Sequence, residues 1–319
     1  MIIDLPDTTA GAVARTLVDL RDRYGAMALS RVLTLVAHAD RAEVEDTIAA
    51  AVHASHEHPL RVVVATETDA DRERSAGHRD RPHLDAQVRL GGDAGAGDVV
   101  VLWAEPWLLE DLASLVMPLL LSDAPVVAWW PGRAPQVPAQ ASVGQIAALR
   151  ITDAAAGEHP LATIRDLAAA YVPGDADLTW GRLTLWRAAL AGAVDAVATD
   201  GVLPDVDDIE VSGSVDSPSV DLLAAWLAIR LGRPAKVRRV PVPHLSGVVV
   251  RFADDTELRL ERPQSSDLAH LSVPGQPTRP VALAPRDTPD CLAEELRWLE
   301  PDGVYGEVLR QGLPRVIPT

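Results

Sequence analysis

Apolar runs and helical repeats alternate through the first half of the chain. The run at 60–66 is apolar on both faces, as expected of a parallel strand that lies buried between two layers. Strands are predicted at 31–37, 60–66, 86–90, 99–103 and 125–130. Apolar residues that recur every three or four positions predict helices at 8–23, from residue 40 onward, and at 107–117. This alternation predicts an α/β fold with a doubly wound, mainly parallel sheet.

The hydrophobic period changes in the second half of the chain. Asp175 or Asp177 is predicted to begin a helix with an apolar stripe, and Ser217, followed by proline, begins an almost wholly apolar helix that ends at Gly232. Thr288 is predicted to begin the last helix. Short runs with a period of two then favour an antiparallel meander with strands at 237–242, 247–252, 257–261, 269–273 and 278–283.

The segment 131–143 is rich in proline, alanine and glutamine, which predicts the exit from a first domain. A chain of 319 residues is long enough for about two domains of roughly 150 residues each. We therefore predict an α/β Rossmann-like domain at 1–145 and an α+β domain at 146–319, with helices on a mixed or antiparallel sheet.

The acidic composition of the chain bears on which partners it can bind. The formal net charge is −17, which argues against nucleic acid or an anionic membrane as a partner, because both would repel the chain. No apolar run approaches the roughly 18 residues of a membrane span, and the start of the chain lacks the basic segment of a signal peptide. The chain is therefore expected to be cytoplasmic.

The sequence contains only weak signals for a phosphate site, a metal site or a catalytic site. Asp40 and Glu43 read as a capping box, so carboxylates occupy the helix start that a phosphate would need. The glycines at 91–97 precede a strand rather than a helix, which favours a turn. The histidines at 53, 56 and 58 lack a further ligand at a suitable spacing. We predict no catalytic residue, no cofactor and no metal.

Two adjacent tryptophans, Trp129 and Trp130, end the predicted strand at 125–130. Because side chains alternate along a strand, their indoles point to opposite faces, and we expect at least one of them near the surface. Tryptophan is over-represented among the residues that dominate protein interfaces. We therefore predict partner contacts through Trp129, Trp130 and Arg133.

Further candidate contacts lie in the second half of the chain, where Arg182 and Arg187 flank an apolar helical stripe and Asp216 precedes a helix. Cys291 is the chain's one cysteine, so no intrachain disulfide forms. It lies in the first turn of a predicted helix, where the helix dipole lowers a thiol pKa, which would suit a redox-active thiol. The alternative interpretation is a small core residue, because free cysteine is commonly buried.

Long blocks spread over nearly the whole chain resemble one protein family. The blocks are MIIDLPDT, RVLTLV, EHPLRVVV, LDAQVRLGGDAGAGDVVVL, MPLLLSDAPVVAWWPG, ALRITDAA, DLTWGRLTLWRAAL, DSPSVDLLAAWLAIRLG, LSVPGQP and CLAEELRWLEPDGVYGEVL. In this order they are similar to the glucose-6-phosphate dehydrogenase assembly protein family (OpcA), in its actinobacterial form.

The resemblance implies a non-catalytic partner in the oxidative pentose phosphate pathway. Such a protein would bind glucose-6-phosphate dehydrogenase, favour its active oligomer and tune its substrate affinity as an allosteric activator. Photosynthetic members are linked to thiol-based redox control, which a single cysteine cannot provide through an internal disulfide.

Two other function classes stay open at this point. One is a regulatory protein that senses a sugar phosphate or nucleotide in the crevice of the first sheet, near His38, Thr66, Glu105 and Trp130. The other is an enzyme in its own right, in which a crevice carboxylate such as Glu105 would take part in turnover.

Overall fold

The computed structural model describes residues 1–24, 32–68, 83–91, 97–198, 202–264 and 266–318. Two compact units are formed from discontinuous segments. The first unit contains 1–156, 174–178 and 288–301, and the second contains 157–173, 179–287 and 302–319. Among the described residues, no helix has the length and apolar character that crossing a bilayer would require.

The helices are numbered in chain order through both units. They are α1 Ala10–Tyr24, α2 Val44–Ser55, α3 Pro106–Glu110, α4 Leu112–Val116, α5 Ser142–Ile146, α6 Pro160–Ala170, α7 Leu178–Gly181, α8 Thr184–Val197, α9 Pro218–Arg230, α10 Thr288–Arg297 and α11 Gly303–Glu307. A 3-10 turn at Arg41–Glu43 precedes α2, and a π-helical turn at Val308–Gly312 follows α11.

The first unit is built on one mixed, largely parallel sheet. Its strands are β1 Ile2–Leu5, β2 Leu33–His38, β3 Leu60–Glu67, β4 Leu84–Leu90, β5 Asp98–Ala104, β6 Val126–Trp130, β7 Leu149–Thr152 and β8 Asp175–Asp177. Their order across the sheet is β1-β4-β5-β3-β2-β6-β7-β8. Strand β4 is antiparallel to both of its neighbours, β1 and β5. The remaining neighbours pair in parallel, so six consecutive strands of the sheet run in one direction: β5, β3, β2, β6, β7 and β8.

The order of the parallel strands reverses between β2 and β6. Counted along the chain, these strands lie as 3-2-1-4-5-6, which is the order of doubly wound dinucleotide-binding folds. Both faces of the sheet are covered. Residues of α2 and α10 pack on one face, and residues of α1, α3 and α4 pack on the other. The predicted doubly wound, mainly parallel sheet is confirmed.

Helix α10 belongs to the first unit, although the sequence predicts it as the last helix of a second domain. Its inward residues, among them Leu292 and Leu296, are buried in the core that α2 also fills. The Arg297 guanidinium lies 2.9 Å from the Glu57 carboxylate at the end of α2. Since burial of this stripe needs α2 and the first sheet, a chain segment distant in sequence completes the first unit.

The second unit contains a mixed sheet with a meander. Its strands are β9 Val206–Ser214, β10 Ala235–Val240, β11 Leu245–Phe252, β12 Glu257–Glu261, β13 Leu268–Ser272, β14 Arg279–Ala282 and β15 Val316–Pro318. The strands from β11 to β14 are antiparallel neighbours, whereas β10 is parallel to β9 and β15. Helix α9 connects β9 to β10 and is buried over most of its length, and Gly232 takes a φ of +68° just beyond it. The predicted mixed sheet is confirmed.

Three local predictions differ from the structure. Asp175 and Asp177 lie in β8, which pairs with β7, and the helix predicted to begin at either residue is divided into α7 and α8. The Asp177 carboxylate accepts hydrogen bonds from Thr152 Oγ1 (2.7 Å) and the Ala154 amide (2.9 Å). The predicted helix at 107–117 is divided into α3 and α4. The division falls at Asp111, whose side chain accepts a hydrogen bond from the hydroxyl of a serine that begins α5.

The third difference concerns the boundary between domains. The sequence predicts one boundary after residue 145, whereas each compact unit consists of three separate segments of the chain. The reason lies in the sheet, because β7 pairs with β6 and β8 pairs with β7, so both strands extend the first sheet beyond the predicted linker.

Candidate functional site

A cavity of about 380 Å³ opens in the first unit, along the first turns of α2 and beside the ends of β6 and β7. Its polar lining comes from Glu43, Asp46, Thr47, Trp129, Asp153 and Thr288. Helix α2 follows β2, and β2 is the strand that meets β6 where the sheet order reverses. Doubly wound proteins bind their ligands in the crevice at this point, so the cavity lies where a ligand is expected.

Three polar atoms around this cavity are buried without a hydrogen-bond partner among the described residues. They are Nε1 of Trp129, Oγ1 of Thr47 and Oε2 of Glu43. Trp129 is 1% exposed and Thr47 is 2% exposed, so bulk water does not reach either side chain freely. A buried polar group without a partner costs free energy, which makes each of these atoms a candidate for a ligand contact.

The cavity is electrically negative on the side of Glu43. Burial raises the pKa of Glu43, and the nearby carboxylates of Asp40, Asp46 and Asp153 raise this pKa further. A hydrogen bond from the backbone of Asp40 acts in the opposite direction. This is the reciprocal half of the predicted capping box, whereas the Asp40 side chain itself makes no capping bond. The start of α2 therefore disfavours a phosphate group.

Gly132 allows the Glu43 carboxylate to approach the backbone that follows β6. A Cβ atom at Gly132 would lie 2.5 Å from Oε2 of Glu43, closer than real contacts permit. Any larger residue at this position would therefore push the carboxylate away.

The two tryptophans of β6 are separated onto opposite faces of the sheet, as alternation predicts. Trp129 packs in the core formed with α2 and α10, and Trp130 packs in the core formed with α1. They are 1% and 3% exposed, so the expectation that at least one indole lies near the surface is wrong. The reason is that helices cover both faces of β6. Only Trp129 contributes to the cavity.

The arginine and aspartate candidates lie in different surroundings. Arg133 is exposed just after β6, and Asp216 is exposed in the turn before α9. Arg187 is half-buried, with its guanidinium carbon 3.7 Å from the centre of the Trp180 ring and its Nη2 donating to Thr184 Oγ1 at 3.1 Å. Arg182 is also half-buried. The contacts of Arg187 are those of a side chain that stabilises its own unit.

Cys291 is fully buried in the core between α10 and the sheet of the first unit. Its surroundings match the interpretation as a small core residue, because an oxidant cannot reach a thiol with 0% exposure without opening the structure.

The other predicted crevice residues do not converge on the cavity. Burial lowers the pKa of His38, and Oγ1 of Thr66 is buried without a partner in the described part of the chain. Glu105 accepts hydrogen bonds from the indole of Trp107 at 2.9 Å and from the backbone of His83 at 3.3 Å. None of these lines the cavity that Trp129 borders.

The histidines that end α2 take part in pairing rather than in a ligand cluster. Nε2 of His53 lies 3.3 Å from the Asp290 carboxylate. Within the ranges that the structure describes, no three histidine, cysteine or carboxylate side chains come together as metal ligands would. Gly91 takes a φ of +75°, which fits a turn after β4, whereas 92–96 lie outside the described residues.

Two exposed tryptophans are features that the sequence pattern does not single out. Trp298 is 71% exposed just after α10, and Trp107 is 53% exposed in α3. The indole of Trp107 is already held by Glu105. Trp298 lies between Arg297, which pairs with Glu57, and Leu299, which packs against the core. Its backbone is therefore fixed while its ring faces solvent.

The fold and the site together describe a doubly wound α/β protein whose usual phosphate position carries carboxylates. Two family models match the chain. One describes the N-terminal domain of a glucose-6-phosphate dehydrogenase subunit and matches residues 51–169, and the other describes the C-terminal domain of such a subunit and matches residues 173–309. Because the two matches together cover most of the chain, the protein belongs to the OpcA family of glucose-6-phosphate dehydrogenase subunits.

Solved structures show only a remote likeness. A 3-ketoreductase of Actinomadura kijaniata, in complex with TDP-benzene and NADP, matches with a TM-score of 0.39 and 13% identity over 90% of this chain and 99% of that chain. A biliverdin reductase of Synechocystis, in complex with biliverdin and NADP+, matches with a TM-score of 0.38 and 9% identity over 89% and 96%. Neither likeness carries an argument about this chain. No curated protein matches it.

Proposed function

We propose that this chain is a non-catalytic assembly factor and allosteric activator of glucose-6-phosphate dehydrogenase. It binds the dehydrogenase, favours its active oligomer and thereby tunes its substrate affinity in the oxidative pentose phosphate pathway. The observation that carries the proposal is the match of both parts of the chain, 51–169 and 173–309, to domains described as parts of a dehydrogenase subunit.

The chemistry at the strand-order reversal supports a role without catalysis. A dinucleotide enzyme of this topology needs amide groups at a helix N-terminus to hold a pyrophosphate. Here Asp40 and Glu43 stand at that helix start, and burial, together with the neighbouring carboxylates, raises the pKa of Glu43. A phosphate would add further negative charge to these carboxylates. The formal charge of −17 argues against nucleic acid or an anionic membrane as the partner, because both would repel the chain.

Activation follows from differential binding. A partner that binds the active oligomer more tightly than other forms of the enzyme shifts the population towards the active form. A coupling free energy of about 1–3 kcal/mol changes an affinity by roughly 5- to 150-fold. Such a coupling needs no chemical step on this chain.

Trp298 is our first candidate for a direct contact. Exposed aromatic anchors with fixed backbones bind with little loss of conformational entropy, and tryptophan is enriched among residues that dominate interfaces. Trp129 and Trp130 are not proposed as contacts, because both are buried. Arg133 and Asp216 remain candidates on the exposed surface.

The experiment compares two exposed tryptophans in their binding to the dehydrogenase of the same organism. We expect Trp298→Ala to weaken the complex at least tenfold, the loss typical of a residue that dominates an interface. Trp107→Ala is the matched control, because it also removes an exposed indole, but one already bonded to Glu105. Equal affinities for the wild type and Trp298→Ala would remove this contact, and failure of the wild type to bind would remove the proposed function.

A further inference from the structure

We propose that the cavity bordered by Glu43, Thr47, Trp129 and Asp153 binds a small, uncharged polyhydroxy compound. The proposal goes beyond the assembly role, because it concerns a ligand of the first unit alone. The cavity lies where the strand order reverses, and its volume of about 380 Å³ falls within the roughly 300–1,000 Å³ of small-molecule sites.

The buried atoms without partners define what the ligand must offer. Nε1 of Trp129 is a donor only, so it requires an acceptor on the ligand. Oε2 of Glu43 requires a donor when the carboxyl group is ionised, and Oγ1 of Thr47 takes either role. These needs arise in side chains from two separate segments of the chain, 43–47 and 129, that border one cavity.

A hydroxyl group meets both needs, because it donates one hydrogen bond and accepts two. Neighbouring hydroxyls on one compound could therefore donate to Glu43 and accept from Trp129 at the same time. The further carboxylates of Asp46 and Asp153 on the lining add acceptors for the remaining hydroxyl groups.

Charged ligands fit the same atoms less well. An anion would meet the carboxylates of Asp46 and Asp153 in addition to that of Glu43. An ammonium or guanidinium group has donors for these carboxylates but no acceptor for the Trp129 indole. A metal ion is disfavoured because, among the residues described, no cluster of three suitable ligands occurs.

The test follows the indole N–H resonances of the full chain labelled with 15N-tryptophan. The chain contains eight tryptophans, and the spectrum of Trp129→Phe identifies the resonance of Trp129. The probes are myo-inositol and glucose, with glucose 6-phosphate and methylguanidinium as charged comparisons. We expect a saturable shift of the Trp129 resonance with at least one uncharged probe, and weaker binding of both charged probes.

Two threonine variants separate binding from folding. Thr47→Val removes the hydroxyl that borders the cavity and should weaken binding of the uncharged probe about two- to tenfold. Thr66→Val is the matched control, because Oγ1 of Thr66 is also buried without a partner in the described residues but does not line the cavity. It should leave binding unchanged. Thermal unfolding of both variants establishes that they fold.

Each outcome decides the proposal. Saturable shifts with an uncharged probe that Thr47→Val weakens and Thr66→Val does not would support it. No shift with myo-inositol or glucose at tens of millimolar, tighter binding of methylguanidinium or glucose 6-phosphate, or equal loss in both threonine variants would overturn it. The proposed assembly role is measured with the dehydrogenase present and no added polyol, so the two proposals fail separately.

Discussion

Replacing Trp130 by alanine should destabilise the protein strongly, although the residue stands at the end of a strand. The side chain is 3% exposed and packs with α1 and the neighbouring strands. A tryptophan of this kind buries about 150–250 Å², which at ~25 cal/mol per Å² corresponds to about 4–6 kcal/mol of transfer free energy. Large-to-small changes of buried aromatic residues cost about 3–5 kcal/mol in practice. We expect a loss in this range.

The assay is urea unfolding of the full chain, followed by far-UV circular dichroism. Trp298→Ala serves as the comparison, because its side chain is 71% exposed and its removal should change the free energy of unfolding by no more than about 0.5 kcal/mol. A cost below about 1 kcal/mol for Trp130→Ala, or equal costs for both variants, would refute the burial of this indole as a source of stability. If the large cost is observed, weakened complex formation by Trp130→Ala does not identify this residue as a contact, because lost stability alone weakens binding.

Three further outcomes test other parts of the structure. Glu43→Gln should stabilise the protein at neutral pH, because burial raises the pKa of Glu43 in the folded state, so that ionisation of this carboxyl group costs stability. The gain in unfolding free energy is absent below the ordinary pKa of glutamate and grows as pH rises through the raised pKa. Urea unfolding at several pH values checks this dependence. Asp98→Ala should cost about 3–5 kcal/mol in urea unfolding, because it removes a buried carboxylate that lies 2.9 Å from the buried guanidinium of Arg61; a loss under about 1 kcal/mol would contradict this. Cys291 should react with a thiol reagent only after unfolding, and rapid reaction of the native chain would show that its burial is wrong.

The sequence predicts much of the first unit because the apolar residues of its strands and helices recur at regular spacings. The apolar run at 60–66 matches β3. The stripe of Leu292, Leu296 and Leu299 packs against the core, with Leu292 and Leu296 in α10 and Leu299 just beyond its end. That same stripe leaves Trp298 off the apolar face, which is the signal that could have identified it as exposed. The burial of Trp129 and Trp130 was also implicit, because a strand in the middle of a parallel sheet is covered on both sides.

The remaining features depend on contacts between distant segments. Asp177 lies in a strand because β8 pairs with β7, which places Asp177 beside Thr152, and no local pattern reports such a pairing. The cavity joins the start of α2 to Trp129 and to residues after β7, so it exists only once the sheet has formed. Spacing along the chain predicts which residues begin a helix, but not which of them border the same cavity.

The most direct measurement of the central claim mixes this chain with the glucose-6-phosphate dehydrogenase of its own organism. Light scattering after size exclusion gives the mass of the assembly, and initial rates over a range of glucose 6-phosphate give the apparent substrate affinity. We expect a heavier complex that contains both chains, a larger fraction of the dehydrogenase in its active oligomer and an altered substrate affinity. This chain alone should show no turnover. Unchanged mass and kinetics on mixing, or turnover of glucose 6-phosphate by this chain alone, would contradict the assembly role.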